Sequence, residues 1–260
     1  MATDPYTAPR ARVADVPAAG AEGNFNAEGQ AVAAGNGWKW ISDGWGLFKR
    51  QPGTWILLLV VFVLISFLIA LIPFLGSLAS NLLWPVFAGG IILGCRELAQ
   101  GGELAVGHLF AGFRDHFGKL AVIGLLYLVA LIVVMLVAFA IAGAGIGFGA
   151  LLGRDAGGAE LGVMTVLLAA LIALALIVPV AMAVWFAPAL VVLNDLGIGD
   201  AIKTSFSACL RNIVPFLVYG LILLGLAIVA SIPFLLGWLL LGPTLAASVY
   251  AAYRDIFYTD

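Results

Sequence analysis

Six long apolar stretches constrain this chain more than any other feature. The first, "TWILLLVVFVLISFLIALIPFL", covers 54–75, and a less apolar arm follows from about Gly76 to Cys95. A third run extends from Leu120 to about Leu152, a fourth from Leu161 to Leu193, a fifth from Ile213 to Ile232 and a sixth from Phe234 to Tyr253. About 20 apolar residues in a helix cross the roughly 30 Å of hydrocarbon in a bilayer. In lipid the backbone has no water to bond to, so each crossing must satisfy its own N–H and C=O groups as a helix. The reading is an all-α polytopic membrane protein with six transmembrane helices paired as three hairpins. Composition agrees: 63% of residues are hydrophobic and 10% charged, against about 25% charged in an ordinary soluble domain.

The 12 lysines and arginines are distributed unevenly. Arg10, Arg12, Lys39, Lys49 and Arg50 precede the first run. Arg96, Arg114 and Lys119 follow the second, Lys203 and Arg211 the fourth, and Arg254 the sixth; Arg154 alone falls on the other side. Positive residues in short loops stay cytoplasmic, so a multi-pass membrane protein with both termini in the cytoplasm is expected. Residues 1–36, rich in Ala, Gly and Pro and without an apolar core, read as a disordered cytoplasmic tail. Residues 37–260 read as the membrane domain.

Each hairpin follows a short amphipathic stretch. Trp38, Ile41, Trp45 and Phe48 recur at helical spacing, as do Val106, Leu109, Phe110, Phe113, Phe117 and Leu120, and again Ile198, Ile202, Phe206, Cys209 and Ile213. This spacing gives a helix an apolar stripe, suited to lying flat at the membrane surface. Aligning Gly44-Trp45, Gly112-Phe113 and Ser205-Phe206 brings the hairpins into register, with Phe87-Ala88, Phe186-Ala187 and Leu245-Ala246 corresponding. The tetrapeptide "IPFL" stands at both 72–75 and 232–235. The pattern predicts three parallel copies of one unit, about 37–101, 102–196 and 197–260, around an axis along the membrane normal.

The middle hairpin is longer than its siblings. Arms of about 33 residues measure roughly 50 Å at 1.5 Å per residue, more than the hydrocarbon needs. They either tilt and protrude, or break where Gly143, Gly145, Gly147, Gly149 and Gly153 cluster. The same glycines form overlapping GxxxG spacings that permit close helix packing. Pro179 and Pro188 are expected to kink the fourth helix.

Ionisable residues inside a membrane mark ion and proton pathways, and the predicted spans contain none. His108 and His116 are eight apart with no acid or cysteine cluster, so no metal is expected. Neighbouring Asp115 and His116 point about 100° apart on a helix and make no dyad. Phosphate-binding loops, HExxH and GxSxG are absent from the sequence. Cys95 and Cys209 read as small hydrophobes. The net charge of -2 offers no basic field for nucleic acid. Neither enzyme chemistry nor a cofactor is expected. The candidate contacts to membrane lipids, to another membrane protein or to a second copy are Trp45, Phe48, Arg96, Phe113, Phe117, Phe206, Arg211 and Arg254. Arg96 and Arg254 end membrane helices, where a cation complements the helix dipole and reaches lipid phosphate; a specific headgroup or partner site is the alternative. Trp38, Trp40, Trp45 and Trp55 fit an aromatic belt.

The blocks "GWKWISDGWGLFKRQPGTWI", "GGELAVGHLFAGFRDHFG" and "LAASVYAAYRDIF" resemble a family of uncharacterised six-helix membrane proteins of Gram-negative bacteria. More distantly, "AIKTSF" before an apolar hairpin is similar to membrane domains accompanying some glycerophosphodiester phosphodiesterases, whose catalytic domain has no counterpart here. The resemblance implies a cytoplasmic-membrane address and assigns no activity. The expected role is a non-enzymatic protein that organises or modulates membrane components, with a transporter or channel for a small neutral or lipid-like solute as the alternative.

Overall fold

The computed structural model describes residues 23–151 and 156–259, and it is all-α apart from one two-residue strand pair. Helix α1 spans Asn36–Arg50. Hairpin helices α2 (Pro52–Ala70) and α3 (Leu75–Ala99) follow. A 3-10 helix at Val106–Phe113 leads into α4 (Phe117–Leu151) and α5 (Ala156–Trp185), with α6 (Ala187–Asn194) continuing the second arm. Helix α7 (Ile198–Arg211) precedes α8 (Ile213–Ser231) and α9 (Trp238–Phe257).

Among the described residues, five spans are long and apolar enough to cross a membrane: Pro52–Ala70, Leu75–Ala99, Phe117–Ala150, Glu160–Asn194 and Ile213–Ser231. The sixth run forms α9 but falls outside that set. Its second half carries Ser248, Tyr250, Tyr253, Arg254 and Asp255, which pack against the protein rather than face lipid.

The repeated "IPFL" stands at the turn of both outer hairpins, with α3 starting at Leu75 but α9 only at Trp238 after a second positive-φ residue, Leu235. Between α2 and α3, and again between α8 and α9, a proline closes the first helix, since it cannot continue the ladder. The following phenylalanine then takes positive φ, 59° at Phe74 and 50° at Phe234. Both rings stand out from the fold, 88% and 95% exposed. A large apolar residue in a strained conformation at a hairpin tip fits immersion in lipid better than in water. Ser77, Ser80 and Asn81 lie inside α3, where Ser77 Oγ donates to the Phe74 carbonyl and Asn81 Nδ2 to that of Ser77.

The amphipathic elements do not lie separately on a surface. Each packs on the second arm of a different hairpin. Helix α1 crosses α9 where Gly44 allows contact: a Cβ there would sit 2.6 Å from the Thr244 carbonyl oxygen. The 3-10 helix crosses α3 at Gly112, where a Cβ would run into the Val86 carbonyl oxygen. Helix α7 crosses the α5–α6 junction at Ser205. The Ser205 hydroxyl donates to Met182 O (2.7 Å) and accepts from Phe186 N (2.9 Å). Those two groups would bond each other in an unbroken helix, so the serine is inserted into the ladder, a recognised cause of a break. The fourth helix therefore breaks at Phe186, just before Pro188, whereas Pro179 lies within α5 without ending it.

Two expectations are corrected here. The second amphipathic stretch is a 3-10 helix followed by a turn, and α4 begins at Phe117 rather than Leu120. Residues 23–35 are not a tail: strand β1 (Asn24–Phe25) pairs antiparallel with β2 (Tyr258–Thr259), and Gln30 Nε2 donates to Asp255 O. The remainder of the expected tail, residues 1–22, lies outside the described residues.

Candidate functional site

Three polar residues at helix junctions each hold a connecting or terminal segment of the chain. Gln51 Oε1, between α1 and α2, accepts Leu104 N at 2.8 Å. Lys119 Nζ, at the start of α4, donates to the side chain (2.6 Å) and carbonyl (3.2 Å) of Asp195. Buried Asn212, between α7 and α8, accepts Val32 N at 2.8 Å and donates to Gln30 O at 3.0 Å. In the first two cases the held segment is a connection, after α3 and after α6. In the third it is the N-terminal segment, which is thereby closed in a seam against α7 and the end of α9.

Above this seam opens a polar pocket of about 710 Å³, lined by Lys39, Asp43 and Arg50 from α1, Gln100 after α3, and Arg254 and Asp255 from α9. Asp255 is its hub. Its carboxylate accepts from Asn36 Nδ2 (2.7 Å), Trp40 Nε1 (2.8 Å) and Lys39 Nζ (3.0 Å). Burial alone would raise this carboxyl; the three donors outweigh it and hold Asp255 below the usual carboxylate range. Asp43 is pushed the other way, by burial and then by the Asp255 charge, with Lys39 opposing. Arg50 Nη1 donates to the last carbonyls of α3, Leu98 O at 2.8 Å among them. Arg254 lies over the Tyr258 ring, 4.3 Å from its centre.

A second cavity, about 250 Å³ and apolar, lies where the three second arms meet. Trp84 and Ala88 of α3, Tyr127 of α4, Trp185 of α5, and Ala246 and Val249 of α9 line it. A third, about 430 Å³, is an apolar groove between Trp38 and Trp45 of α1 and the far ends of α8 and α9.

The residues singled out from sequence divide accordingly. Trp45 is exposed beside the groove and Arg254 faces the polar pocket. Phe117 is exposed and stacks on half-buried Phe113, their centres 5.7 Å apart, while Phe206 is exposed on α7. Arg96 is half-buried in the last turn of α3. Phe48 is corrected: it is buried, because α1 turns that face toward the core. Arg211 is occupied inside the chain, donating to Gly29 O at 3.2 Å. Trp40 and Trp55 leave the expected belt for the core, Trp40 because its indole N–H serves Asp255. Helix α4 runs unbroken through Gly143, Gly145, Gly147 and Gly149 up to Leu151, so the expected break does not fall at these glycines. Of the GxxxG spacings, Gly145 presses on Thr165 of α5 and Gly149 is buried, while Gly143 and Gly147 face open space. Gly153 lies outside the described residues. Both cysteines are buried and free, and burial pushes the Cys209 thiol up to about 12, which leaves it without thiolate character.

A probable inner membrane protein of Burkholderia thailandensis is 35% identical over 231 residues, a match spanning 85% of this chain and 82% of that one. The chain belongs to that family. No family model and no solved structure matches. Family membership and the five apolar spans together make this a multi-pass inner-membrane protein. The comparisons carry nothing of the more distant likeness to the phosphodiesterase-associated domains.

Sequence reasoning missed Ser205, Asn212, Asp255 and Gln30. Ser205 and Asn212 were visible as polar residues bordering apolar runs. Nothing local announced that residues 23–35 would meet Asp255.

Proposed function

We propose that this is a non-enzymatic inner-membrane protein that assembles with or organises another membrane component through its middle hairpin. The reading takes six crossings, with α9 the last, in three parallel units and both termini in the cytoplasm. Support for the units comes from the cyclic contacts, in which the first unit packs on the third, the second on the first and the third on the second. The recurring turn at "IPF" adds to it. The observation that carries the function is the middle hairpin itself. Its arms are the 35 residues of α4 and the 30 of α5 extended by α6, against 19 in α2 and α8. Only 6% of the most apolar window of its second arm is covered within the molecule. Leu136 and Phe139 on α4 and Leu167 and Leu171 on α5 all stand exposed. An apolar rod of roughly 50 Å would have to tilt beyond the usual 0–40° range to hide in about 30 Å of hydrocarbon. A second membrane protein alongside would cover it instead.

The test is co-purification in lipid nanodiscs from native expression, comparing the intact chain with one whose α4 and α5 are shortened equally. A stoichiometric protein lost on shortening is expected; its absence from the intact sample would sink the assembly reading. Orientation is checked by fusing a reporter enzyme active only outside the cytoplasm after Tyr258, where inactivity is expected. A second reading, handling of a small neutral or lipid-like solute, is favoured by the apolar cavity among the three second arms. Uptake into proteoliposomes that collapses with Ala88→Phe would move the weight there.

A further inference from the structure

We propose that the polar pocket at the seam between the last and first units binds a phosphate-bearing anion, gripped by Arg50 and Arg254 from opposite walls. The pocket lies where α1, α3 and α9 reach the same charged end of the bundle, the level at which lipid headgroups meet a membrane helix. Its size, about 710 Å³, falls within the 300–1,000 Å³ common for ligand sites.

Charge decides the ligand class. Three cations, Lys39, Arg50 and Arg254, face two carboxylates, Asp43 and Asp255. Asp255 is already engaged by Lys39, Trp40 and Asn36, which leaves both guanidiniums without a carboxylate partner among the described residues. Arg50 uses one nitrogen, Nη1, on the end of α3, and that bond fixes its position while other N–H groups remain. Arg254 is fixed by the Tyr258 ring, a contact that orients a guanidinium without consuming its donors. The planar fork of arginine matches phosphate oxygens in pairs, and Ser42 adds a hydroxyl to the lining. The surplus of positive charge suits a phosphate anion, diester or monoester. The same chemistry could arrive as a phospholipid headgroup or as a free phosphate ester.

The experiment uses the full chain in nanodiscs of phosphatidylcholine doped with phosphatidylglycerol, reading co-retained lipid by native mass spectrometry, with glycerol 3-phosphate titrated separately by calorimetry. Selective retention of phosphatidylglycerol, weakened about tenfold by Arg254→Gln and by Arg50→Gln but not by Arg96→Gln, supports the site and names a lipid as its source. No lipid preference, but saturable glycerol 3-phosphate binding with the same dependence on the two arginines, supports it with a soluble ligand. The proposal is overturned if wild-type protein prefers neither probe. It is equally overturned if the binding is untouched by both substitutions while each variant keeps the wild-type unfolding midpoint. Shortening the middle hairpin should leave this binding intact, so failure of the assembly reading and failure of this one are separable.

Discussion

The outer hairpins and the middle hairpin are written in the same apolar alphabet but are held in different ways. In the outer two, α2 and α8 are each 19 residues long, about one bilayer, and both turns close on the same proline and positive-φ phenylalanine. Their second arms, α3 and α9, are each crossed by an amphipathic element, the 3-10 helix on α3 and α1 on α9. The middle arms are buried mainly at the base, where Ser205 breaks the ladder and Leu120, Ile123 and Leu190 are sealed; farther out only Val134, Gly149 and Ala169 among their described residues are buried. Beyond that they touch chiefly each other. Apolar character sets what enters the membrane; polar or glycine contacts across units set what is held.

The sharpest way to break the contrast is to place a side chain where two units touch. Gly44→Leu should cost about 3 kcal/mol or prevent folding, because the Thr244 backbone cannot move aside, whereas Gly143→Leu, facing open space, should leave the unfolding midpoint in nanodiscs unchanged. Equal losses would show that crossing contacts do not hold the ring. Next comes the seam. Asn212→Ala leaves the Val32 N–H and two carbonyls without their partner and should cost about 2 kcal/mol, read as the unfolding midpoint and as faster proteolysis near residues 23–35.

Ser205→Ala should cost somewhat less, about 1–2 kcal/mol, since Phe186 N and Met182 O can re-form a direct helical bond. Loss of hydrogen-exchange protection confined to the α5–α6 junction would locate the effect. Asp255→Asn tests the seam's charge, with about 1 kcal/mol expected after allowance for solvent screening. The folded Asp255 carboxyl sits below its ordinary value of 3.8. Its stabilisation is therefore complete above that value and fades as pH falls through the lower folded one. Wild type and variant should differ at pH 6 and converge below about pH 3.8; a gap that stays constant into acid would assign the effect to packing.

Much of this was legible in the chain. The spans emerge from hydropathy because membrane insertion is close to a sum over local residues, and both copies of "IPFL" fall at hairpin turns. Gly44, Gly112 and Ser205, aligned by register, stand at helix crossings in the structure, but nothing in the sequence marked them as contacts. The sequence did not reveal which second arm each would cross, since GxxxG and glycine spacing name a face and not its partner. It also led residues 23–35 astray, because low hydrophobicity reads as disorder unless polar backbone groups find buried partners elsewhere. Phe48 and Trp40 were misplaced because an amphipathic period names an apolar stripe and not what covers it: α1 buries Ile41 and Phe48 of its stripe together with Trp40 beside it, while Trp38 and Trp45 stay exposed.

The sequence by itself determined that this chain lives in a bilayer, crosses it in hairpins and carries one hairpin too long for the rest, because those properties depend on neighbours a few residues apart. Only the tertiary structure decided how the N-terminal segment and the last helices meet. There Asn36 reaches Asp255 across 219 positions and Val32 reaches Asn212 across 180, and a hydrogen bond of such separation leaves no trace in local periodicity, only in the geometry that brings donor and acceptor together.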